Sequence, residues 1–307
     1  MKWREKLILA KPETVYGQDS VPTAVANAIQ AANVELMPLE GELISRGLMR
    51  GALGNELQLH VGSHVKLSFD VEMTSSGTAG TPSPHGVLLR GCSHSETINV
   101  DNVPYAPIDT GEESLTLYLH FSGQLHPMTG ARGTLGIRLN PMGIPYYHFE
   151  FTGLWAGPSS VADPAADFPA IPPPLEVSNA HTPTFTLHGV AQKVAGFELS
   201  QNNGVYYDNL IGEEAVPVND RKPSGTITIE APDISTTDWF SIAKNNTVGA
   251  IQWIHGLTAG QITEFNAPRV QVLQPKYSER NGRVMIQMNL SFVAATDGSP
   301  EYTITER

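Results

Sequence analysis

Residues 65–72 read Val-Lys-Leu-Ser-Phe-Asp-Val-Glu and alternate apolar and polar side chains without a break. A period of two places the apolar side chains on one face of a β-strand and the polar side chains on the other. The same alternation recurs at residues 115–119, 226–230 and 284–290. Strands with one buried and one polar face are typical of antiparallel sheets, so the sequence predicts an all-β protein.

Helix signals are few in this sequence. The short apolar run 86–90 follows Ser83-Pro84, and the run 239–243 follows the polar residues 235–238. Serine and aspartate favour the first position of a helix, so each run is predicted to be a short capped helix, one in each half. The alanine-rich residues 22–32 predict a further helix.

Composition narrows the class of protein. The 307 residues include 19 Lys and Arg against 31 Asp and Glu, a formal net charge of −12, and 40% of residues are hydrophobic. This apolar share can fill one or two cores, which excludes wholesale disorder. The acidic balance argues against a protein that grips nucleic acid by its phosphates, because that needs clustered Lys and Arg.

Cysteine usage and hydropathy exclude two further arrangements. Cys92 is the only cysteine, so internal disulfides and cysteine-based metal clusters are excluded, and a reducing compartment fits. No apolar run approaches the roughly 18 residues that a membrane helix requires. We therefore expect a soluble protein without a membrane anchor.

A proline-rich stretch divides the chain. Six prolines fall between Pro158 and Pro174. Such a segment lacks backbone donors and favours an extended conformation, so it suits a semi-rigid connector. We expect a first domain at residues 1–160, a linker at 161–176 and a second domain at 177–307.

The two halves repeat one pattern in the same order. Residues 66–70 match 226–230, and the turn Gly123-Gln124-Leu125 matches Gly260-Gln261-Ile262, with Arg132 falling on Arg269. Shared alternation alone is the simpler explanation for any single match. Several matches in the same order favour a tandem duplication. The offset in residue number between matched positions is smaller for the later matches, because the first half has a longer loop between Cys92 and Ser114.

Several strings resemble the phage tail tube (major tail) proteins of long non-contractile tails. They are residues 86–92 (Gly-Val-Leu-Leu-Arg-Gly-Cys), 103–107 (Val-Pro-Tyr-Ala-Pro) and 130–134 (Gly-Ala-Arg-Gly-Thr), continued by 221–225 and 267–270. The resemblance covers nearly the whole chain and departs only after the cysteine, where the family often has a larger apolar residue. It implies two tandem β-sandwich domains that contribute strands to a ring-shaped barrel, with rings stacked into a hollow tube.

The resemblance also implies how the chain assembles and where it acts. Tail tubes resemble six-domain rings, so a chain with two tube domains needs only three copies for a pseudo-hexameric ring. A true hexamer is the alternative if the second half is an outward decoration domain. The implied setting is the virion tail, assembled in the host cytoplasm, with tail terminator and tape measure proteins as partners and DNA passing without adhering.

Two sets of residues are candidates for these roles. For the lumen of the tube we expect the polar faces of the paired strands, with an ordinary solvated outer face as the alternative: Lys66, Ser68, Asp70, Glu72, Thr226, Thr228 and Glu230. For contacts between domains or subunits we expect Arg132, Arg269, Trp3 and Arg50. Contacts between stacked rings are expected from the N-terminal segment 3–16 and the loops 46–56 and 99–113.

The sequence contains no recognised motif for catalysis or metal binding. None of the ten histidines has a paired carboxylate at ligand spacing, and no His-Glu-x-x-His or Gly-x-Ser-x-Gly string occurs. Neither enzymatic activity nor a cofactor is therefore expected. A carbohydrate-binding or adhesin β-sandwich and a secretion-system tube protein remain alternative functions.

Overall fold

The computed structural model describes residues 2, 4–49, 51, 53–168, 170–295 and 298–307, so Trp3 and Arg50 lie outside the described residues. The strands of the first half are β1 (Lys6–Pro12), β2 (Ala28–Ile29), β3 (Ala32–Ser45), β4 (Gln58–Glu72), β5 (His94–Glu96), β6 (Val103–Pro107), β7 (Leu115–Phe121), β8 (Gln124–Leu139), β9 (Tyr146–Trp155) and β10 (Ser159–Ser160). Those of the second half are β11 (Thr184–Leu187), β12 (Val190–Ala191), β13 (Val194–Ser200), β14 (Asn203–Val205), β15 (Asp208–Leu210), β16 (Glu213–Ala215), β17 (Val218–Arg221), β18 (Ser224–Glu230), β19 (Val248–His255), β20 (Thr263–Arg280), β21 (Arg283–Phe292) and β22 (Thr303–Glu306). The helices are α1 (Gly86–Gly91) and α2 (Trp239–Lys244).

The prediction of an all-β chain with one short helix in each half is confirmed. Helix α2 begins as expected, because the Asp238 carboxylate accepts hydrogen bonds from the backbone N of Phe240 and Ser241, both at 3.0 Å. The predicted cap of α1 is wrong. Ser83 instead donates its hydroxyl to Glu306 at 3.1 Å, and the N-cap residue His85 makes no side-chain capping bond within the described part of the chain.

The predicted helix at residues 22–32 is also wrong. This stretch forms a turn followed by the two-residue strand β2, in which Ala28 and Ile29 pair with Leu9 and Ile8 of β1. Both residues of β2 are buried. Pairing with a buried strand outweighs the helix propensity of a short alanine-rich segment.

Eight strands, four from each half, form one continuous layer. Each pairs antiparallel with the next in the order β3, β4, β9, β8, β13, β18, β21 and β20. The junction between the halves is the pairing of β8 residues 136–139 with β13 residues 197–200. Within one chain this sheet is open and does not close into a barrel.

The long strands β8 and β20 run from this layer into a second one. Residues 125–131 of β8 pair with β7, which pairs with β1, and residues 263–271 of β20 pair with β19, which pairs with β11. Bulges interrupt both strands and redirect them. The buried aromatic side chains between the layers belong to one core that spans both halves.

The order of pairing is the same in the two halves. The first half runs β1–β7–β8–β9–β4–β3 and the second runs β11–β19–β20–β21–β18–β13. Strands β5 and β6 lie between α1 and β7, in the longer loop of the first half. This shared topology supports the duplication. The described residues of 161–176 contain neither strand nor helix, and the domain boundaries stay a prediction.

The C-terminal strand crosses from one half to the other. Strand β22 pairs with β20 on one side and with β6 on the other. Residues 103–107 are therefore a paired strand with Val103 and Tyr105 fully buried, and within the loop 99–113 only residues 99–101 and 109–111 are exposed. The N-terminal segment is likewise not a free arm, because residues 6–12 form β1 within the sheet.

Candidate assembly surfaces

The polar residues of both halves lie on one face of the eight-stranded layer. Laterally paired residues share a face in an antiparallel sheet. One row of such pairs crosses the junction and contains Glu72, Tyr146, Arg138, Glu198, Thr226 and Asn289. The structure thus brings together on this face the residues Lys66, Ser68, Asp70, Glu72, Thr226, Thr228 and Glu230, and we name it the polar face.

The polar face carries both signs of charge. Arg138 of the first half lies directly opposite Glu198 of the second, and both side chains are exposed. Glu230 pairs with Lys193 at 2.7 Å and with Arg283 at 3.5 Å. The hydrogen bond from Lys193 is the main cause that lowers the pKa of Glu230. Positive groups on this face therefore have carboxylates as neighbours.

Asp70 is buried, unlike the other six residues of that set. One of its oxygens lies 2.6 Å from His148 Nδ1, and the other accepts a hydrogen bond from Asn33 Nδ2 at 2.7 Å. The second ring nitrogen of His148 lies 3.1 Å from Glu150 Oε1. This group of side chains connects β3, β4 and β9, so Asp70 braces the sheet.

Arg132 lies where the first half meets the segment between β13 and β18. Its guanidinium donates to the carbonyl oxygen of Val216 at 3.2 Å and to that of Glu112 at 3.4 Å. It also lies over the ring of Tyr16 at 5.0 Å from the centroid. Arg132 thus contacts the second half within one chain.

Arg269 does not occupy the same register as Arg132. In β8 the bulge lies between Met128 and Ala131, and in β20 the corresponding bulge lies between Ala267 and Val270. Arg269 therefore falls two residues before the position of Arg132. Its side chain is exposed, and its carbonyl oxygen accepts a hydrogen bond from the backbone N of Val293.

Two buried amides fasten the second half to the end of α1. Gln201 Nε2 donates to the carbonyl oxygen of Cys92 at 2.8 Å, and the backbone N of Leu135 donates to Gln201 Oε1 at 3.2 Å. Asn203 Nδ2 donates to Cys92 and Gly133 at 3.2 Å and 2.9 Å. No local sequence pattern predicts these contacts, because the partners lie at least 66 residues apart.

Arg221 joins three separate segments. Its guanidinium donates to both carboxylate oxygens of Glu301, at 3.0 Å and 3.1 Å, to the carbonyl oxygen of Ile108 at 2.8 Å and to Asp109 at 2.7 Å. The side chains of Arg221 and Glu301 are only 12% and 10% exposed. We name these contacts the Arg221 clamp. They hold the segment before β18 and the C-terminal segment against the first half.

Buried polar groups also hold the C-terminal segment. The ring nitrogens of His94 lie 3.0 Å from the carbonyl oxygen of Leu89 and 2.9 Å from the hydroxyl of Tyr302. Burial lowers the pKa of His94 to about 4. Burial also raises the pKa of the Cys92 thiol well above its usual value, so the thiol is unreactive.

The two ends of the eight-stranded layer are open. Among the described residues, β3 pairs only with β4, and residues 273–280 of β20 pair only with β21. Exposed sheet edges present unpaired N–H and C=O groups and act as templates for another chain. The open edges are therefore candidate surfaces for assembly.

Neither a metal site nor a membrane-spanning helix is found within the described ranges. No group of three or more His, Cys, Asp or Glu side chains there is placed to hold a metal ion. Neither of the two helices is long and apolar enough to cross a membrane.

Comparison with known proteins assigns the chain to a family. A search of curated proteins found no match. The sequence model of a family described as phage tail tube protein matches residues 3–298. This match spans both halves and agrees with the repeated sheet and its open edges. The chain therefore belongs to the phage tail tube protein family, whose members are structural components of the virion tail.

Proposed function

We propose that three copies of the chain close into a ring, and that stacked rings form the tube through which DNA passes. The proposal rests on one observation: the two open edges of the layer are the counterparts of the two strands that pair at the junction between the halves. Strands β8 and β13 pair inside the chain. Their counterparts in the other half are β20 and β3, which are the open edges. The β20 edge of one copy then pairs with β3 of the next as β8 pairs with β13.

Strand spacing favours three copies over six. Eight strands per copy give a barrel of twenty-four, and at about 4.8 Å per strand its backbone diameter is at least about 37 Å. Six copies would give about 73 Å by the same spacing, a bore far wider than one duplex. The second half contributes four strands to the layer, which argues against an outward decoration domain.

The polar face is our candidate for the lumen. Clustered basic residues in the lumen would bind DNA, because neutralising its phosphates releases counterions. A lumen through which DNA passes should therefore lack such clusters. On this face Arg138 is opposed by Glu198, and Glu230 has Lys193 beside it. The net charge of −12 per chain adds to the repulsion of phosphates. DNA then moves along the tube without adhering.

The tube also defines the chain's role in the tail and the partner proteins that we propose for it. The chain acts as a wall and not as an enzyme, and assembles in the host cytoplasm before it resides in the tail. A tape measure protein fits the lumen during assembly, and a terminator protein fits the last ring. Within the loop 99–113, residues 99–101 and 109–111 are exposed and are the segments offered for contacts between rings. The loop 46–56 is better suited to a contact within the ring, because it lies between the two strands that leave the open β3 edge.

Electron microscopy of the concentrated protein tests the proposal. End-on class averages should show threefold rings with six similar lobes, and side views should show hollow tubes. Three chains of 33.1 kDa give a ring of about 99 kDa, which native mass spectrometry of single rings should detect. Rings of six chains, or a protein that stays monomeric at every concentration and binds glycans, would contradict the proposal.

A further inference from the structure

The segment that joins β13 to β18 covers the end of α1. We name residues 201–223 the inner connection. It leaves the sheet, and Gln201 and Asn203 both donate to the carbonyl oxygen of Cys92. The C-terminal segment adds Tyr302, whose hydroxyl lies 2.9 Å from a ring nitrogen of His94. Under these two segments residues 92–94, the turn after α1, are buried.

The matching turn after α2 is open. Each helix is followed by a cap residue and then by a residue with positive φ, Ser93 at 58° and Asn246 at 54°. The two turns therefore hold equivalent positions. Yet residues 244–248 are exposed, whereas residues 92–94 are buried. Whatever covers this turn is not supplied by the described part of the same chain.

The counterpart of the inner connection is a long hairpin arm. Residues 38–61 comprise the outer ends of β3 and β4 with the turn between them, and they occupy the place that the inner connection has between β13 and β18. We name the described residues of this range the arm. The arm exposes an unusual number of large apolar side chains, namely Leu39, Leu43, Ile44, Leu48, Met49, Leu53, Leu57, Leu59 and Val61. A two-stranded hairpin is marginally stable alone, and an exposed apolar cluster marks an interaction site.

We propose that the arm of one copy covers the turn after α2 of the neighbouring copy in the same ring. The proposal rests on the ring proposed above, because only edge pairing between copies brings β3 next to β20. The internal junction provides the precedent. There β13 pairs with β8, and the inner connection that follows β13 reaches the turn after α1, the helix in the same half as β8. By analogy, the arm that follows β3 reaches the turn after α2, the helix in the same half as β20. The occupant of the exposed turn is thus a second copy of this chain.

Charge and anchoring agree with this contact. The arm carries the exposed Glu42, and α2 ends with the exposed Lys244. At its root the arm is held by the stacking of His64 on Tyr207, with ring centroids 4.9 Å apart. The arm therefore starts from a fixed position beside the junction.

Cysteine cross-linking tests the contact, because the native Cys92 is buried and is not expected to compete for the reagent. In the register that the bulges of β8 and β20 set, Met37 of β3 corresponds to Ser200 of β13, so Glu40 corresponds to Asn203. The double variant Glu40→Cys/Asn245→Cys therefore replaces the counterparts of Asn203 and Cys92. Assembled tubes of this variant are treated with a short bismaleimide and analysed under denaturing conditions. The matched control is Glu40→Cys/Thr236→Cys, in which the second cysteine is exposed before α2, at its other end.

The expected product is a ladder that ends at three chains, with at least tenfold less cross-linking in the control and in each single variant. Threefold rings in the microscope without cross-links would overturn the arm contact and leave the ring intact. A ladder that extends beyond six chains would assign the arm to the next ring along the axis and also overturn it. Absence of rings in the native protein would overturn the proposed function itself.

A second pair of variants tests the apolar character of the contact. Leu43 on the arm and Ile234 away from it are similarly exposed, at 61% and 58%. Leu43→Asp should reduce tube yield at least tenfold while leaving the thermal unfolding of the monomer unchanged, and Ile234→Asp should do neither. Equal tube yields for the two variants would overturn the inference.

Discussion

Replacement of Arg221 by methionine should destabilise the unassembled chain by about 3 kcal/mol. The substitution leaves the Glu301 carboxylate, only 10% exposed, without its charged partner and removes a donor from the carbonyl oxygen of Ile108. Breaking a buried ion pair from one side costs about 3–5 kcal/mol, and we take the lower end because the pair retains some exposure. Asp109 is 89% exposed, so its loss adds less than about 1 kcal/mol.

Scanning calorimetry of the monomer measures this effect. An unfolding entropy of about 2.1 cal/mol/K per residue over 307 residues converts 3 kcal/mol into a Tm decrease of about 5 °C. Asp109→Ala is the matched control and should lower Tm by less than about 2 °C. In the double variant Arg221→Met/Glu301→Gln the two losses should fall short of additivity by about 2 kcal/mol, because the variants share one interaction.

Two results would refute this reasoning. One is an Arg221→Met protein whose Tm lies within about 1 °C of the native value, since the clamp would then contribute no more than a surface ion pair. The other is strict additivity in the double variant, which would mean that Arg221 and Glu301 act independently.

Three further predictions concern pH, charge and reactivity. Because the pKa of His94 is lowered to about 4 in the fold, the unfolded chain takes up a proton first as pH falls below about 6.5, so His94 should contribute a loss of about 3 kcal/mol of stability between pH 6.5 and 4. Burial also lowers the pKa of His120, His126, His188 and His255, so a His94→Gln variant should lose its own share of the pH dependence in urea titrations, and an unchanged slope would contradict the prediction. Changing Glu72, Glu150 and Glu198 together to lysine should make assembled tubes retain DNA in a salt-dependent manner in a filtration assay, whereas glutamine at the same positions should have a much smaller effect. The buried Cys92 thiol should stay unreactive towards a thiol reagent until the chain unfolds, and rapid labelling of the native protein would show that the site is open.

The local pattern of the sequence was sufficient to predict the strands and the polar face. Residues 65–72 alternate in the structure as they do in the sequence, with Val65, Leu67, Phe69 and Val71 buried. A period of two is set by the geometry of a single strand, so it needs no knowledge of the partner. The capping bond of α2 is equally local, and its Asp238 lies within the polar stretch 235–238 that predicted a capped helix.

Register could not be read from the same pattern. A shift by two residues leaves every side chain on its face, so alternation cannot distinguish Arg132 from its neighbours two positions away. The bulges in β8 and β20 set the true register, and alternation does not encode their positions. The match of Arg132 with Arg269 therefore missed by two residues while the order of strands was right.

The junction between the halves depends on contacts far apart in sequence. Ser83 reads as a helix cap until the carboxylate of Glu306 lies beside it, 223 residues along the chain. The insertion of β22 between β20 and β6, and the bonds from Gln201 to the end of α1, likewise unite segments that carry no local signature. Only the tertiary fold brings such partners together.

The presence of both halves in one chain changes the thermodynamics of the proposed ring. In a ring of six separate domains, every lateral junction would have to form between molecules and lose translational and rotational freedom. Here the β8–β13 junction forms during folding, at the effective concentration of a covalent tether. It can therefore rest on buried polar bonds such as those of Gln201 and Arg221, which require accurate placement. The β20–β3 junction must form between copies, and the arm supplies the exposed apolar area that such an encounter needs.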